Sequence, residues 1–203
     1  SRVDAEGAMG ADTWSSEEAL ERSALEYPDF LVIDLDPSVK DKGTFESQGF
    51  RMAVDVAFQL KRELDDLGIP SFPKTSGKSG LHVFVPIVRN LGYAEVRALC
   101  EGLGRHLLAR SPELVTMEWV VSKRPAKVFF DHNQNVRGKT LAGPYSPRPV
   151  PGAPVSFPIT WDALGSVDPR AFTILNAADL VERSGDSWHG VLDRRIDLRL
   201  LLG

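Results

Sequence analysis

The apolar and polar positions alternate between short β-forming runs and longer stretches of helical spacing. Phe30, Leu31, Val32 and Ile33 form an apolar run that ends on Asp34 and Asp36. Pro37 cannot extend a central ladder, so the run predicts a buried strand with two acids at its C-terminal end. Residues 47 to 67 place Phe50, Val54, Ala57, Leu60, Leu64 and Leu67 at helical spacing, and Gly68 and Pro70 supply a stop. SFPKTS reads as an extended piece, GKSG as a tight turn, and LHVFVPIV as a strand with Val83, Val85 and Ile87 on one face, which together predict a hairpin. Val96, Leu99, Cys100, Leu103 and Leu107 give a second amphipathic helix, and strands follow over LVTMEWVV and KVFFD.

From Asp29 to Val121 the predicted order is β-α-β-β-α-β. This is the split βαβ, or ferredoxin-like, pattern, an α+β fold with helices on one face of an antiparallel sheet. Its first and third strands lie side by side, so the pair Asp34 and Asp36 is expected next to the strand that starts at His82. The opposite face of the sheet is left to hold a ligand, with the added strand ending at Asp131 joining it. Residues 1–28 read as a surface segment with a short helix over 16–27, opened by the capping-box pair Ser15 and Glu18. Residues 29–203 read as the main domain, with the core in 29–137. From Gly138 to Pro158 proline and glycine are too frequent for a regular element, and the tail returns to helical pattern. There Asn176 is the predicted N-cap of AADLVERS, Gly185 its stop, and Trp188 to Leu202 a last amphipathic stretch.

Composition narrows the classes. With 203 residues, 42% of them hydrophobic, the chain is long enough for a full core. A single cysteine, Cys100, excludes an internal disulfide framework and a cysteine-based zinc site. No apolar run approaches the roughly 18 residues of a membrane span, and the start lacks the order of a signal peptide, so a cytoplasmic protein without a membrane partner is expected. The net charge of −4 gives no global argument for nucleic acid. Its distribution matters more. Seven acids against two arginines fall in residues 1–28, whereas Lys123, Arg124, Lys127, Arg137, Lys139 and Arg148 gather around a third acid, Asp131.

Asp34, Asp36 and Asp131 at the ends of β-runs suit hard cations, which prefer oxygen ligands. Residues two apart on a strand share a face with side chains roughly 7 Å apart, so the first two acids can act together. TSGKSGLH at 75–82 offers what acids lack: backbone N–H groups with close access through glycine, the Ser76 hydroxyl, Lys78, and His82. It is not a Walker A loop, because GxxxxGK[ST] is absent. Taken singly, the DxD reads as easily as a helix cap with a solvated acid, the turn as an ordinary solvated turn, His82 as a packed histidine, and Arg124, Lys127 and Arg148 as surface charges. Their joint occurrence is what points to a site.

DFLVIDLDPS, PKTSGKSGLHVFVP and KRPAKVFFDHNQNVRGKTLAGPYSPRPVPGAPVSFPITWDAL resemble the three motifs of the archaeo-eukaryotic primase superfamily, and most of all the polymerase domain of bacterial DNA ligase D and its stand-alone relatives. The resemblance runs from Asp29 to the C-terminus. It implies a primase-polymerase type of fold: an RRM-like βαββαβ catalytic core, an added strand and a C-terminal helical segment. It makes Asp34, Asp36 and Asp131 the catalytic ligands of two Mn2+ or Mg2+ ions. Ser76, Lys78, His82 and Arg148 match positions that hold the phosphates of an NTP or dNTP, within a nucleotide-binding region that includes 138–203. Arg124 and Gln134 match positions at the active centre or template side. The implied partners are a DNA template-primer with a gap or end, an ATP-dependent DNA ligase domain or protein, and Ku. In relatives a DNA-binding portion precedes the position of Ser1, and the stretch between Arg2 and Asp29 is shorter, so here it reads as an inserted surface helix.

The implied activity is template-dependent nucleotidyl transfer to a 3′-hydroxyl in double-strand-break repair by end joining. One alternative is a primase or short-gap-filling polymerase in excision repair. Another is a non-catalytic RRM-like nucleic-acid-binding module, although RRMs carry stacking aromatics where this chain has acids on its first strand.

Overall fold

A computed structural model describes residues 24–38 and 48–201. The helix expected over 16–27 lies outside the described residues except for its end, where Ala24–Glu26 form a 3-10 turn. The sheet has five strands: β1 (Phe30–Pro37), β2 (Phe72–Thr75), β3 (Leu81–Pro86), β4 (Val115–Thr116) and β5 (Val128–Asp131). Their spatial order is β2-β3-β1-β5-β4. All neighbours are antiparallel except the parallel pair β4 and β5. Helices α1 (Gln48–Asp66) and α2 (Tyr93–Arg110) pack against one face. Two short helices, α3 (Trp161–Leu164) and α4 (Ala177–Ser184), follow the sheet in the chain.

The β-period decides which face is buried. Leu31, Ile33 and Leu35 on β1, with Leu81, Val83 and Val85 on β3, enter one core with Phe50, Ala57, Leu60 and Leu64 of α1 and Val96, Cys100 and Leu107 of α2. The alternate β1 positions, Phe30, Val32, Asp34 and Asp36, therefore face away from the helices. α1 ends one residue before Leu67, which is exposed instead of completing the apolar stripe. Gly68 turns the chain at φ +68, with Gly68 N–H bonding Asp65 C=O and Ile69 N–H bonding Leu64 C=O, so Ile69 takes the buried place.

Four expectations change. The added strand β5 lies directly beside β1 and displaces β4 to the edge. Because β5 is short and pairs with β4 only at Val115↔Val128 and Thr116↔Phe129, the run expected as a strand over 114–121 keeps two strand residues, and Trp119 to Val121 are exposed. In the proline-rich segment, Thr75 N–H bonds Phe157 C=O and Ile159 N–H bonds Pro73 C=O, so residues 157–159 flank the outer edge of β2. The expected last helix is two 3-10 turns, Val191–Arg194 and Leu198–Leu201. Trp188 before them is buried, with its ring 4.9 Å from Phe84 and its Nε1–H bonded to Pro73 C=O. It covers the Phe84 part of the face that sequence left open.

β5 stops opposite Asp34, which leaves the backbone of Val32 without a strand on that side. Asn135 takes over. Its Oδ1 accepts from Val32 N–H at 2.8 Å and its Nδ2 donates to Val32 C=O at 2.7 Å, as a strand residue would. Removing this amide leaves Val32 N–H unpaired and Val32 C=O with only the weak Cys100 S–H donor. Asn135→Ala is expected to lower unfolding stability by about 1–3 kcal/mol in urea titration, the cost of unpairing a buried backbone donor.

Candidate active site

The candidate site is a single rung across four strands. In the β2–β3, β3–β1 and β1–β5 registers, Lys74 faces His82, His82 faces Asp34, and Asp34 faces Asp131. Directly paired positions share a face with Cβ atoms roughly 5 Å apart, so register alone sets these four side chains in a row on the face away from the helices. Asp36 belongs to the next row, exposed and paired with Phe129.

The row runs from cation to anion. Lys74 is fully buried, and its Nζ lies 2.7 Å from His82 Nδ1 and bonds Ser156 Oγ. His82 Nε2 is 3.6 Å from Asp34 Oδ1. Gln134 Nε2 donates to Asp34 Oδ2 at 3.3 Å and reaches Asp131 Oδ2 at 3.5 Å, while Asn133 N–H donates to Asp131 Oδ1 at 2.8 Å. Gln134 Oε1 is buried without a hydrogen-bond partner.

Burial, with the charges of Asp36 and Asp131 added, pushes the Asp34 carboxyl up to about 7, although the Gln134 hydrogen bond and Lys74 pull the other way. Burial brings Lys74 down to about 7, partly resisted by Asp34 and assisted by Arg148. His82 is held well below its ordinary range by burial and by the charges of Lys74 and Arg148, so its imidazole is neutral at neutral pH. Asp34 is thus an under-compensated carboxyl beside the basic side chain of Lys74, which Arg148 in turn disfavours as a cation.

At the β2–β3 turn, Ser76 Oγ accepts from Lys78 N–H at 3.2 Å and Gly80 N–H at 3.0 Å. The turn lies against β1, and a Cβ on Gly80 would fall 2.5 Å from Leu35 O. A Cβ on Gly77 would meet Arg148 Cγ at 2.5 Å, so that glycine admits the Arg148 side chain to the turn. Arg148 Nε is buried without a partner. The structure thus gathers Ser76, His82 and Arg148 around the turn and sets Asp34 beside Asp131. It leaves the Lys78 residue exposed. Arg124 is placed apart from the turn, with its guanidinium 3.5 Å above the Phe129 ring and bonded to Glu118 C=O and Trp119 C=O. Among the described residues no three acidic, histidine or cysteine side chains are gathered closely enough to enclose a metal ion by themselves.

Sequence reading missed Lys74, Ser156 and Asn135. For Lys74 the signal was available: a five-residue turn from Ser76 to Gly80 forces Thr75 opposite Leu81 and Lys74 opposite His82. For Ser156 there was none, because its contact with Lys74 joins segments 82 residues apart.

The Asp34 carboxyl is easier to protonate in the folded chain than in the unfolded one, so the native state binds more protons across the interval from about 4 to about 7 and stability falls as pH rises through it. Without divalent cations, Asp34→Asn is expected to raise Tm at pH 8 and to leave it nearly unchanged at pH 4. An equal shift at both pH values would contradict this electrostatic account.

Residues 5–188 match the family described as the LigD primase-polymerase domain, so the match takes in the acidic N-terminal segment as well as the motif-bearing part. The chain is 35% identical over 160 residues to the bifunctional non-homologous end joining protein LigD of Bacillus subtilis, covering 78% of this chain and 25% of that protein. It is 32% identical over 163 residues to the multifunctional non-homologous end joining protein LigD of Pseudomonas aeruginosa, covering 79% of this chain and 18% of that protein. The solved polymerase domain from Mycobacterium tuberculosis Ligase D in complex with DNA superposes with a TM-score of 0.70 at 30% identity, covering 82% of this chain and 55% of that one. The chain therefore spans a quarter or less of these curated relatives and about half of the solved domain. With its five-stranded α+β sheet and this extent of match, the chain belongs to the LigD primase-polymerase domain family.

Proposed function

We propose that the chain is a template-dependent nucleotidyltransferase that adds NTPs or dNTPs to a 3′-hydroxyl with release of pyrophosphate. Its proposed setting is the end joining named in its relatives, beside an ATP-dependent ligase domain or protein and Ku. The observation that carries the reading is the rung itself, with Lys74 and His82 on one side of the Asp34–Asp131 pair and Arg148 at the adjoining turn.

The donor set of Asp34, Asp36 and Asp131 is all oxygen and suits Mn2+ or Mg2+. The charges of Asp36 and Asp131, which add to burial in raising the Asp34 pKa, together with an unpartnered amide oxygen on Gln134, fit added positive charge. Since three side chains do not close around an ion here, the fit is to cations that complete their shells with substrate phosphate and water. Two such ions would lower the pKa of the attacking hydroxyl and neutralise charge on the departing pyrophosphate. The chain's own contribution is positioning. Arg148 offers an unpaired guanidinium N–H, neutral His82 a ring N–H, and Ser76, whose Oγ accepts from Lys78 and Gly80 N–H, its hydroxyl proton, all suited to a triphosphate. Gln134 holds the two carboxylates in register with each other.

Coverage of the sheet face disfavours the RRM-like alternative. Phe84 on β3 is occupied by Phe30 at 5.3 Å and Trp188 at 4.9 Å, and is not offered to a base.

In a primer-extension assay with Mn2+, Asp34→Ala is expected to lose extension below detection while unfolding cooperatively, and chelation of the metal should have the same effect. Arg148→Ala is expected to raise the nucleotide KM by about 10- to 100-fold, the scale of one lost charge-assisted contact of roughly 1.5–3 kcal/mol. Extension by Asp34→Ala at the wild-type rate would refute the proposal.

A further inference from the structure

Lys74 lies wholly inside the protein, where an ammonium group loses its hydration, and an aliphatic side chain would fill the same space without that cost. Its contacts restrict what it does there. The Ser156 hydroxyl donates to Thr75 C=O at 2.7 Å, so Ser156 Oγ is left to accept from Lys74. Nζ also faces His82 Nδ1 at 2.7 Å, and in its ammonium form Lys74 can only donate, which makes Nδ1 the acceptor. A neutral imidazole that accepts at Nδ1 carries its proton on Nε2. Nε2 is the nitrogen on the Asp34 side of the ring, 3.6 Å from Oδ1.

We propose that Lys74 is a positioning residue that locks His82 as the Nε2–H tautomer and thereby aims a hydrogen-bond donor at a phosphate oxygen of the bound nucleoside triphosphate. In that ammonium form Lys74 is close enough to His82 and Arg148 to act on both, and its charge adds to the attraction for the anion. The inference rests on the nucleotide-binding reading of His82. Without Lys74, no contact described for His82 donates to Nδ1, and the ring is free to take the Nδ1–H form. Its bare Nε2 then repels both the Asp34 carboxylate and a phosphate oxygen. Ser156 serves the same arrangement by fixing Nζ from the other side, so the proline-rich segment that carries Arg148 also orients His82.

The test joins 15N NMR of the histidine side chains with steady-state primer extension. In wild-type protein at neutral pH, His82 is expected to show a protonated Nε2 and a bare Nδ1. In Lys74→Met, Nδ1–H should appear, the KM for the triphosphate should rise by about 10- to 100-fold with a smaller change in kcat, and Tm should be equal or higher because a buried charge is gone. An Nδ1–H tautomer in the wild type overturns the inference, whether or not the variant folds. So does a raised KM in Lys74→Met with the His82 tautomer unchanged, or an unchanged KM. A wild-type chain with the expected tautomer that binds no triphosphate overturns instead the nucleotide reading beneath it.

Discussion

Cross-strand register is the constraint on which the rest of this structure depends. Four side chains from four strands, Lys74, His82, Asp34 and Asp131, meet only because each is directly opposite the next. A slip of one residue on any strand would send its member into the apolar core on the helix side, and a slip of two would move it to another row. The alternation that buries Leu31, Ile33 and Leu35 therefore also holds the polar row in place. Core packing and site assembly are one requirement.

Much of the remaining structure supports that row. Gly80 lets the β2–β3 turn lie against the Leu35 carbonyl, and Gly77 lets Arg148 reach the same turn. Asn135 completes β1 where β5 has ended, which allows the chain to leave the sheet just after Asp131 without stranding Val32. The segment from Val155 to Ile159 flanks β2 and delivers Ser156 to Lys74, with the Thr75 hydroxyl bonded to both Val155 C=O and Phe157 N–H. Trp188 seals the lower part of the face over Phe72 and Phe84, at ring distances of 6.4 and 4.9 Å. The cost is electrostatic, since burial drives Asp34 and Lys74 each towards its neutral form, with Asp36 and Asp131 adding to the effect at Asp34 and Arg148 adding to it at Lys74.

What sequence revealed and what it hid divide along physical lines. Helical spacing found α1 and α2 because their inward stripes are long, and strand alternation found β1 and β3 because one face of each is packed on those helices. The neighbourhood of Asp34 and His82 followed from the topology those elements imply. The place of β5 did not follow, because a four-residue apolar strand carries no information about which edge it will join. The end of the chain misled for a different reason: the apolar residues from Trp188 onward suit a helix stripe, but Trp188 itself is committed to Phe84 and Ile196 to a bridge with Ile87. Lys74 was hidden by type. A lysine in a short strand reads as solvated, and only its rung and the Ser156 contact mark it as interior.

The central claim is that this row is a cation and triphosphate site, with the acids holding the metal and Arg148 and His82 the phosphates. Its most direct test is anomalous diffraction from crystals grown with Mn2+ and a non-hydrolysable nucleoside triphosphate. The account predicts manganese peaks between Asp34, Asp36 and Asp131 and the γ-phosphate within hydrogen-bond distance of Arg148. Manganese bound elsewhere, or a triphosphate lying away from the Ser76–Gly80 turn, would contradict it.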